Sequence, residues 1–309
     1  MSVLLDPRIK LRHLTAFLEV VRQGGVARAG AELGMTQPAV SKSIGELEDI
    51  LGLALFDRSR RALALTADGE MFARFCQAGL ATLRQGLDTL AEAKGGASLV
   101  AFGALPTVAA GVVPRALKRF AASPLACRCL VESGPSPYLL ELLRTAAIDF
   151  VVGRLANPPA MDGLSFEHLY SEQLALVVRP GHPLAAVEPL ELRALDGLQL
   201  LLPPRQAIIR PAVDALLIAG GLDHSGAEIE TVSNSLGRSY VLMSDAVWII
   251  SSGVVAADVA AGQLLRLPLD TSASKGAIGI TTRSGAELPL ATRALLQCVR
   301  DAAAGSLAA

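Results

Sequence analysis

The chain has 309 residues, room for a small domain beside a larger one, and 51% of it is hydrophobic but only 4% aromatic, so its cores must be built mainly from Ala, Val, Leu and Ile. A formal net charge of -1 excludes a uniformly basic coat for nucleic acid but leaves room for a local basic patch. No apolar run approaches the roughly 20 residues that cross a bilayer, and the opening MSVLLDPRIK lacks the apolar stretch of a signal peptide, so a cytoplasmic protein with no membrane partner is expected.

In chain order, Leu11, Leu14, Phe17, Leu18 and Val21 recur at helical spacing, and Gly24-Gly25 ends the run. An Ala-rich helix from Val26 to Leu33 follows and stops at Gly34, which adopts a left-handed C-terminal cap easily. Thr36 is a good N-cap for a third helix, whose first turn tolerates Pro38. Val40, Ile44, Leu47 and Leu51 give that helix a buried stripe and leave Gln37, Ser41, Lys42 and Gly45 on the opposite side. Between Leu53 and Leu65, Phe56 anchors the core, Arg58, Arg60 and Arg61 crowd a turn, and Ala62 to Leu65 reads as a short strand, which together resemble a wing. From Thr66 to Lys94 a helix of roughly 40 Å is expected. Its stripe of Phe72, Phe75, Leu83, Leu87 and Leu90 needs a partner, most simply its own copy in a dimer.

Gly95-Gly96 marks a boundary, beyond which short apolar runs alternate with helical stretches. The strand candidates are Leu99 to Gly103, Cys129 to Val131, Phe150 to Gly153, Leu174 to Val178, Leu200 to Leu202, Glu228 to Val232, Val247 to Ile250 and Ile278 to Thr281. This alternation predicts an α/β fold with largely parallel sheets. Cys76, Cys127, Cys129 and Cys298 show neither metal spacing nor a disulfide framework and read as buried free thiols, Cys127 and Cys129 sharing one face of a strand.

Two successive short helices joined by the turn Gly34-Met35 suit a helix-turn-helix, whose second helix enters the major groove and needs an outward face of small polar and basic residues. Gln37, Ser41 and Lys42 would reach base edges or phosphates and Ala39 a thymine methyl, with Arg28, Thr36 and Pro38 completing the candidate set. Arg58, Arg60 and Arg61 fit a wing on the DNA backbone or in the minor groove. Spacing alone also admits a helical hairpin that merely packs. Catalytic motifs do not hold up: Ser272-Ala273-Ser274-Lys275 matches S-x-x-K without its companion motifs, the four histidines are scattered, and no phosphate-binding glycine loop occurs. No enzyme activity, metal or cofactor is expected.

The stretch Leu11 to Glu70 resembles the DNA-binding segment of the LysR-type transcriptional regulators, carried by Phe17, Thr36-Gln37-Pro38-Ala39-Val40-Ser41, Leu47-Glu48, Leu55-Phe56 with Arg58, and Leu65-Thr66 with Gly69. It departs from that pattern at Gly25, where a serine cap is common, at Gly30, where alanine is usual and looser packing is therefore expected, and at Gly45, which removes a possible DNA contact. The segments GALPTVAAGVVPRAL, IDFVVGRL, FEHLYSEQ, IETVSNSLGRSY and DAVWIISSGVVA resemble those members of the family that regulate protocatechuate catabolism.

The resemblance implies a winged helix-turn-helix over residues 1–66, a linker helix over 67–95 and a two-lobed, periplasmic-binding-protein-like α/β effector domain over 96–309. Lobe one would take about 96–170 plus 277–309, and lobe two about 171–276. It also implies a promoter-binding activator, a homodimer or homotetramer that meets RNA polymerase and answers to a small carboxylate such as a carboxymuconate. Loops that end strands and open helices are where such a cleft would hold an anion. These are Leu105-Pro106-Thr107 and Ser133-Gly134 in the first lobe and Pro204-Arg205 and Ser233-Asn234 in the second, with Arg205, and after it Arg154 and Arg210, as candidate carboxylate partners. The competing reading is a solute-binding or transferase-type two-lobed protein whose N-terminal segment only mediates association.

Overall fold

Three short helices open the chain: α1 (Leu11–Gln23), α2 (Val26–Leu33) and α3 (Gln37–Leu51). Each ends on a glycine in the left-handed region, Gly24, Gly34 and Gly52, with φ of 61°, 64° and 69°, where a side chain would strain the backbone. The computed structural model describes residues 6–57, 63–93, 98–125, 127–222 and 228–305. They form two units, one running to Asp88 and one comprising most of the chain from Thr89 on.

In the first unit, Phe17, Val20, Ala29, Val40, Ile44, Leu47, Leu55 and Phe56 pack into one core, with the Phe17 ring edge-on to Phe56 at 5.5 Å between centroids. Strands β1 (Phe56–Asp57) and β2 (Ala64–Leu65) pair antiparallel as a small wing, and α4 (Ala67–Ala93) follows. Its Ala73 and Cys76 join the core, whereas Phe75, Leu83, Leu87 and Leu90 are exposed. Thr36 occupies the N-cap position of α3 in extended conformation, but its side chain makes no cap hydrogen bond. The expected looseness at Gly30 is also absent. Gly30 is buried, its carbonyl accepts from the Met35 N–H at 2.8 Å, and a Cβ on it would stand 2.7 Å from the Met35 carbonyl oxygen.

The second unit contains two five-stranded sheets. The first uses β3 (Ser98–Ala104), β4 (Cys127–Ser133), β5 (Phe150–Arg154), β6 (Leu164–Glu172) and a late strand, Gly276–Arg283, in the order β4-β3-β5-late strand-β6. Helices α5 (Pro106–Ala109), α6 (Val112–Ala121) and α7 (Ser136–Arg144) connect its early strands. The second sheet uses β7 (Leu174–Val178), β8 (Leu200–Leu202), β9 (Glu228–Glu230), β10 (Val247–Ser251) and β11 (Leu265–Arg266), ordered β11-β7-β10-β8-β9. Helices α8 (Arg210–Ala219), α9 (Asn234–Leu242) and α10 (Ser252–Ala260) belong to it, and the late strand, β12, returns the chain to the first sheet before α11 (Leu290–Ala304).

The sheets are mixed rather than largely parallel: β3 runs parallel to β4 and β5, and β8 to β9 and β10. By contrast, β12 opposes both β5 and β6, and β7 opposes both β10 and β11. The reversed strand of each sheet is the one by which the chain enters that lobe from the other, β7 in the second sheet and β12 in the first, whereas β6, by which it leaves lobe one, keeps the direction of β5. Each lobe has its own core, one around Phe102, Phe150 and Leu295, the other around Leu176, Leu201 and Trp248. Cys76 is buried and Cys127 and Cys298 are half-buried, but Cys129 is exposed, because β4 lies at a sheet edge.

Candidate functional site

Helix α3 buries Val40, Ser43, Ile44, Leu47 and Glu48 and leaves Thr36, Gln37, Pro38, Ser41 and Lys42 exposed, with Ala39 and Gly45 half-buried. Thus the short polar side chains expected to form one face do share it. Arg28, exposed on α2, reaches back to the Gly24 carbonyl at 3.3 Å. Arg58, Arg60 and Arg61 lie outside the described residues.

Two buried polar side chains, neither assigned a role from the sequence, fix α3 in place. The Lys10 N–H donates to His13 Nδ1 at 3.3 Å, so His13 Nε2 carries the proton and donates to Glu46 Oε2 at 3.1 Å, tying α1 to α3. Desolvation pushes the Glu46 carboxyl up, but the His13 hydrogen bond and the charges of Lys42 and Arg12 outweigh it and hold the group below its usual range. Lys42 Nζ stands 3.9 Å from this carboxylate, close enough to be oriented and loose enough to turn outward. Glu48 Oε1 accepts from the Leu55 and Phe56 N–H groups at 2.8 and 3.2 Å and thereby anchors the loop into the wing. Gly69 completes the arrangement: a Cβ there would stand 2.1 Å from the Leu55 carbonyl oxygen.

In the second unit a cavity of about 270 Å³ opens between the lobes. Of the residues singled out from the sequence, Leu105, Pro106, Thr107 and Pro204 line it, together with Pro135, Ser136, Ile208, Ile209, Thr231, Val232 and Ile250, which were not singled out. Ser133, Gly134, Arg205, Ser233 and Asn234 are not in its wall. Ser133 Oγ donates to the Ala104 carbonyl at 3.2 Å, Ser233 caps α9, and Gly134 abuts the Tyr138 ring. Asn234 Nδ2 instead donates to the Pro106 carbonyl at 3.0 Å, a hydrogen bond between the lobes.

None of the three arginines proposed as carboxylate partners lines this space. Arg205 is exposed. Arg154 donates to the Ser274 carbonyl at 2.7 Å. Arg210 is 5% exposed and committed to Asp214 and Glu230, each at 2.6 Å, and to the Pro203 carbonyl. With no cationic side chain in the wall, an anion there would rely on hydroxyls and on backbone N–H groups such as those opening α7 at Ser136. Among the described residues no group of three or more His, Cys, Asp or Glu is placed to hold a metal ion, and no helix is long and apolar enough to cross a membrane.

A helix-turn-helix with an outward polar helix, followed by a two-lobed α/β unit, is matched by two families: the bacterial regulatory helix-turn-helix protein of the lysR family over residues 11–70 and the LysR substrate binding domain over residues 93–304. The chain belongs to the LysR family of transcriptional regulators. It is 44% identical over 301 residues, 97% of each chain, to the HTH-type transcriptional regulator PcaQ of Agrobacterium fabrum. Among solved structures it is similar to full-length LysG of Corynebacterium glutamicum with bound effector Arg, with a TM-score of 0.66, 17% identity and coverage of 96% of this chain and 99% of that one. It is also similar to full-length CbnR complexed with its target DNA, with a TM-score of 0.59, 21% identity and coverage of 95% and 100%. Family membership sets aside the solute-binding and transferase reading, since these relatives are regulators and not enzymes.

Proposed function

We propose that this LysR-family regulator binds double-stranded promoter DNA through α3 and activates aromatic-acid catabolic genes in response to a small acid held between its lobes. The observation that supports it most is the composition of the exposed face of α3. Gln37, Ser41 and Lys42 stand clear of the core while His13, Glu46 and Glu48 fix the helix from behind. Side chains this short let a helix approach base edges, with Lys42 free to meet a phosphate. Arg28 and the wing arginines Arg58, Arg60 and Arg61 add backbone contacts. The exposed stripe of α4 pairs two copies, setting half-sites about one helical turn, roughly 34 Å, apart, and a homotetramer contacts RNA polymerase. The domain limits are 1–66, 67–95 and 96–309.

The effector is an acidic intermediate of protocatechuate breakdown such as a carboxymuconate, a reading supported by the similarity to PcaQ. Its apolar body meets Leu105, Pro204 and Ile250, and its carboxylates meet Thr107, Ser136 and backbone N–H groups rather than arginine. Calorimetric titration of the full-length chain with 3-carboxymuconate is expected to give saturable heat, weakened about tenfold in Thr107→Val by loss of one hydrogen bond of about 1 kcal/mol or more. No heat with any protocatechuate-pathway acid would refute the effector assignment and leave the DNA-binding face untouched.

A further inference from the structure

Two segments cross between the lobes side by side: Glu172-Gln173-Leu174, where β6 leads into β7, and residues 271–276, which lead back into β12. They are laced together. The Leu174 N–H donates to Ser274 Oγ at 2.9 Å, Thr271 Oγ1 donates to the Leu174 carbonyl at 2.7 Å, and Arg154 Nη2 donates to the Ser274 carbonyl at 2.7 Å. At this crossing Glu172 is 7% exposed, yet neither carboxyl oxygen completes a hydrogen bond. A Cβ on Gly253 would lie 2.7 Å from Glu172 Oε2 and 3.4 Å from the Thr107 carbonyl oxygen, so the carboxyl sits against a glycine of lobe two beside the wall of the cleft.

The crossing is also where the fold leaves polar groups unmatched. Seven buried side-chain polar atoms lack a partner among the described residues; two are on Glu172 and one each on Thr107, Arg154, Asn234 and Ser251, leaving only the Ser123 hydroxyl elsewhere. Buried polar groups are nearly always satisfied, so their concentration where the lobes meet marks a joint held together at a cost. On the reading of the cleft as the effector site, we infer that closing the two lobes takes up a proton on Glu172 and opening them releases it.

Burial pushes the Glu172 carboxyl up to about 7, against the opposing pull of the Ser251 hydroxyl, the Arg154 guanidinium and the Gly253 N–H. The hydroxyl and the amide stand near enough to act on the charge but short of hydrogen-bond geometry. The charged and titratable groups around it are Arg154 from β5 and Tyr170 on its own strand, which also faces Arg115 of α6. From β10, α10 and β12 it meets the uncharged Ser251, Gly253 and Gly276, with the Thr107 carbonyl of α5 on the far side of Gly253. The closed form holds the proton up to about pH 7 and a water-exposed carboxyl only to about its usual 4.5. The closed population therefore falls by up to about tenfold per pH unit as pH rises through that window and levels off above it. A ligand that closes the lobes should bind about tenfold more weakly at about pH 8 than at about pH 6.

The test uses the full-length chain and its Glu172→Gln variant. Hydrogen exchange of residues 172–176 and 271–276, corrected for the intrinsic pH dependence, and calorimetry with 3-carboxymuconate are run at both pH values. In the wild type, protection of the crossing and affinity should each fall by about tenfold; in Glu172→Gln neither should change with pH. Ser251→Ala keeps the carboxyl and removes a group that lowers its proton affinity, so the transition should move to higher pH. A side chain that only packs would change protection by one factor at every pH, and an equal pH dependence in wild type and Glu172→Gln would overturn the coupling. Protection that follows Glu172 without any heat from 3-carboxymuconate would leave the coupling standing and refute the ligand. Equal, pH-independent affinity in both proteins would do the reverse.

Discussion

Gly45 and Gly69 are both helical glycines of the first unit, and replacing each by alanine should act in opposite directions. A Cβ at Gly45 meets nothing within 4 Å, so Gly45→Ala gains helix propensity worth up to about 1 kcal/mol. At Gly69 the new carbon would lie 2.1 Å from the Leu55 carbonyl oxygen and 3.0 Å from its carbon. Relief requires the start of α4 to move off that loop, to which it is held by the Thr66 N–H on the Leu55 carbonyl at 3.0 Å and Thr66 Oγ1 on the Ala54 carbonyl at 2.8 Å. Overpacking of about 1–3 kcal/mol and one weakened hydrogen bond of about 1 kcal/mol outweigh the propensity gain of about 1 kcal/mol, leaving a net loss of about 1–3 kcal/mol. A chain of two units has no single melting free energy, so the assay is hydrogen exchange of α1 to α3 in the full-length protein. Gly69→Ala should accelerate the slowest amides roughly five- to hundred-fold and Gly45→Ala should slow them up to about fivefold. Slowing by both substitutions would refute the close approach at Gly69.

Glu48→Ala leaves the Leu55 and Phe56 N–H groups without their acceptor and should cost about 2–4 kcal/mol of local stability, with Glu48→Gln recovering about half, read by exchange of those two amides. Asn234→Ala removes the hydrogen bond to the Pro106 carbonyl and should speed exchange in the first turn of α9 about fivefold without affecting α1 to α3; unchanged exchange there would show that the bond does not hold the lobes. Paired substitution Leu83→Asp and Leu87→Asp places charge on the exposed stripe of α4 and should halve the assembly, from tetramers to dimers, in sedimentation velocity, whereas an unchanged assembly would place the contact elsewhere.

The three N-terminal helices were readable because their apolar residues keep a 3.6-residue period and each stops at a glycine whose left-handed φ no other residue adopts cheaply. Strand β6 was not readable. Its residues are mostly exposed or half-buried, so it lacks the apolar run that revealed β7, and without it the antiparallel return of β12 was invisible. Likewise, a residue's type at the end of a strand locates a cleft but not the direction of its side chain: Pro106 and Pro204 line the cavity, while Arg205 turns to solvent. Gly30 carried the opposite lesson, since a small residue in a helix signals loose packing or close approach, and only the position of the Met35 carbonyl decides between them. Glu172 left a faint trace, an acid just before the run Leu174 to Val178, but that it meets Gly253 depends on a contact between residues far apart in the chain.

The role assigned to α3 is tested most directly by anisotropy titration of full-length protein against a labelled duplex from the intergenic DNA beside its own gene, across a salt series and with a scrambled duplex as control. The wild type should bind the native duplex at least about a thousandfold more tightly than the scrambled one. Lys42→Ala should reduce the salt slope by about one counterion, and Ser41→Ala combined with Lys42→Ala should abolish the preference while leaving the fold intact. Binding and preference unchanged in the double variant would contradict the assignment of α3 as the DNA-reading helix.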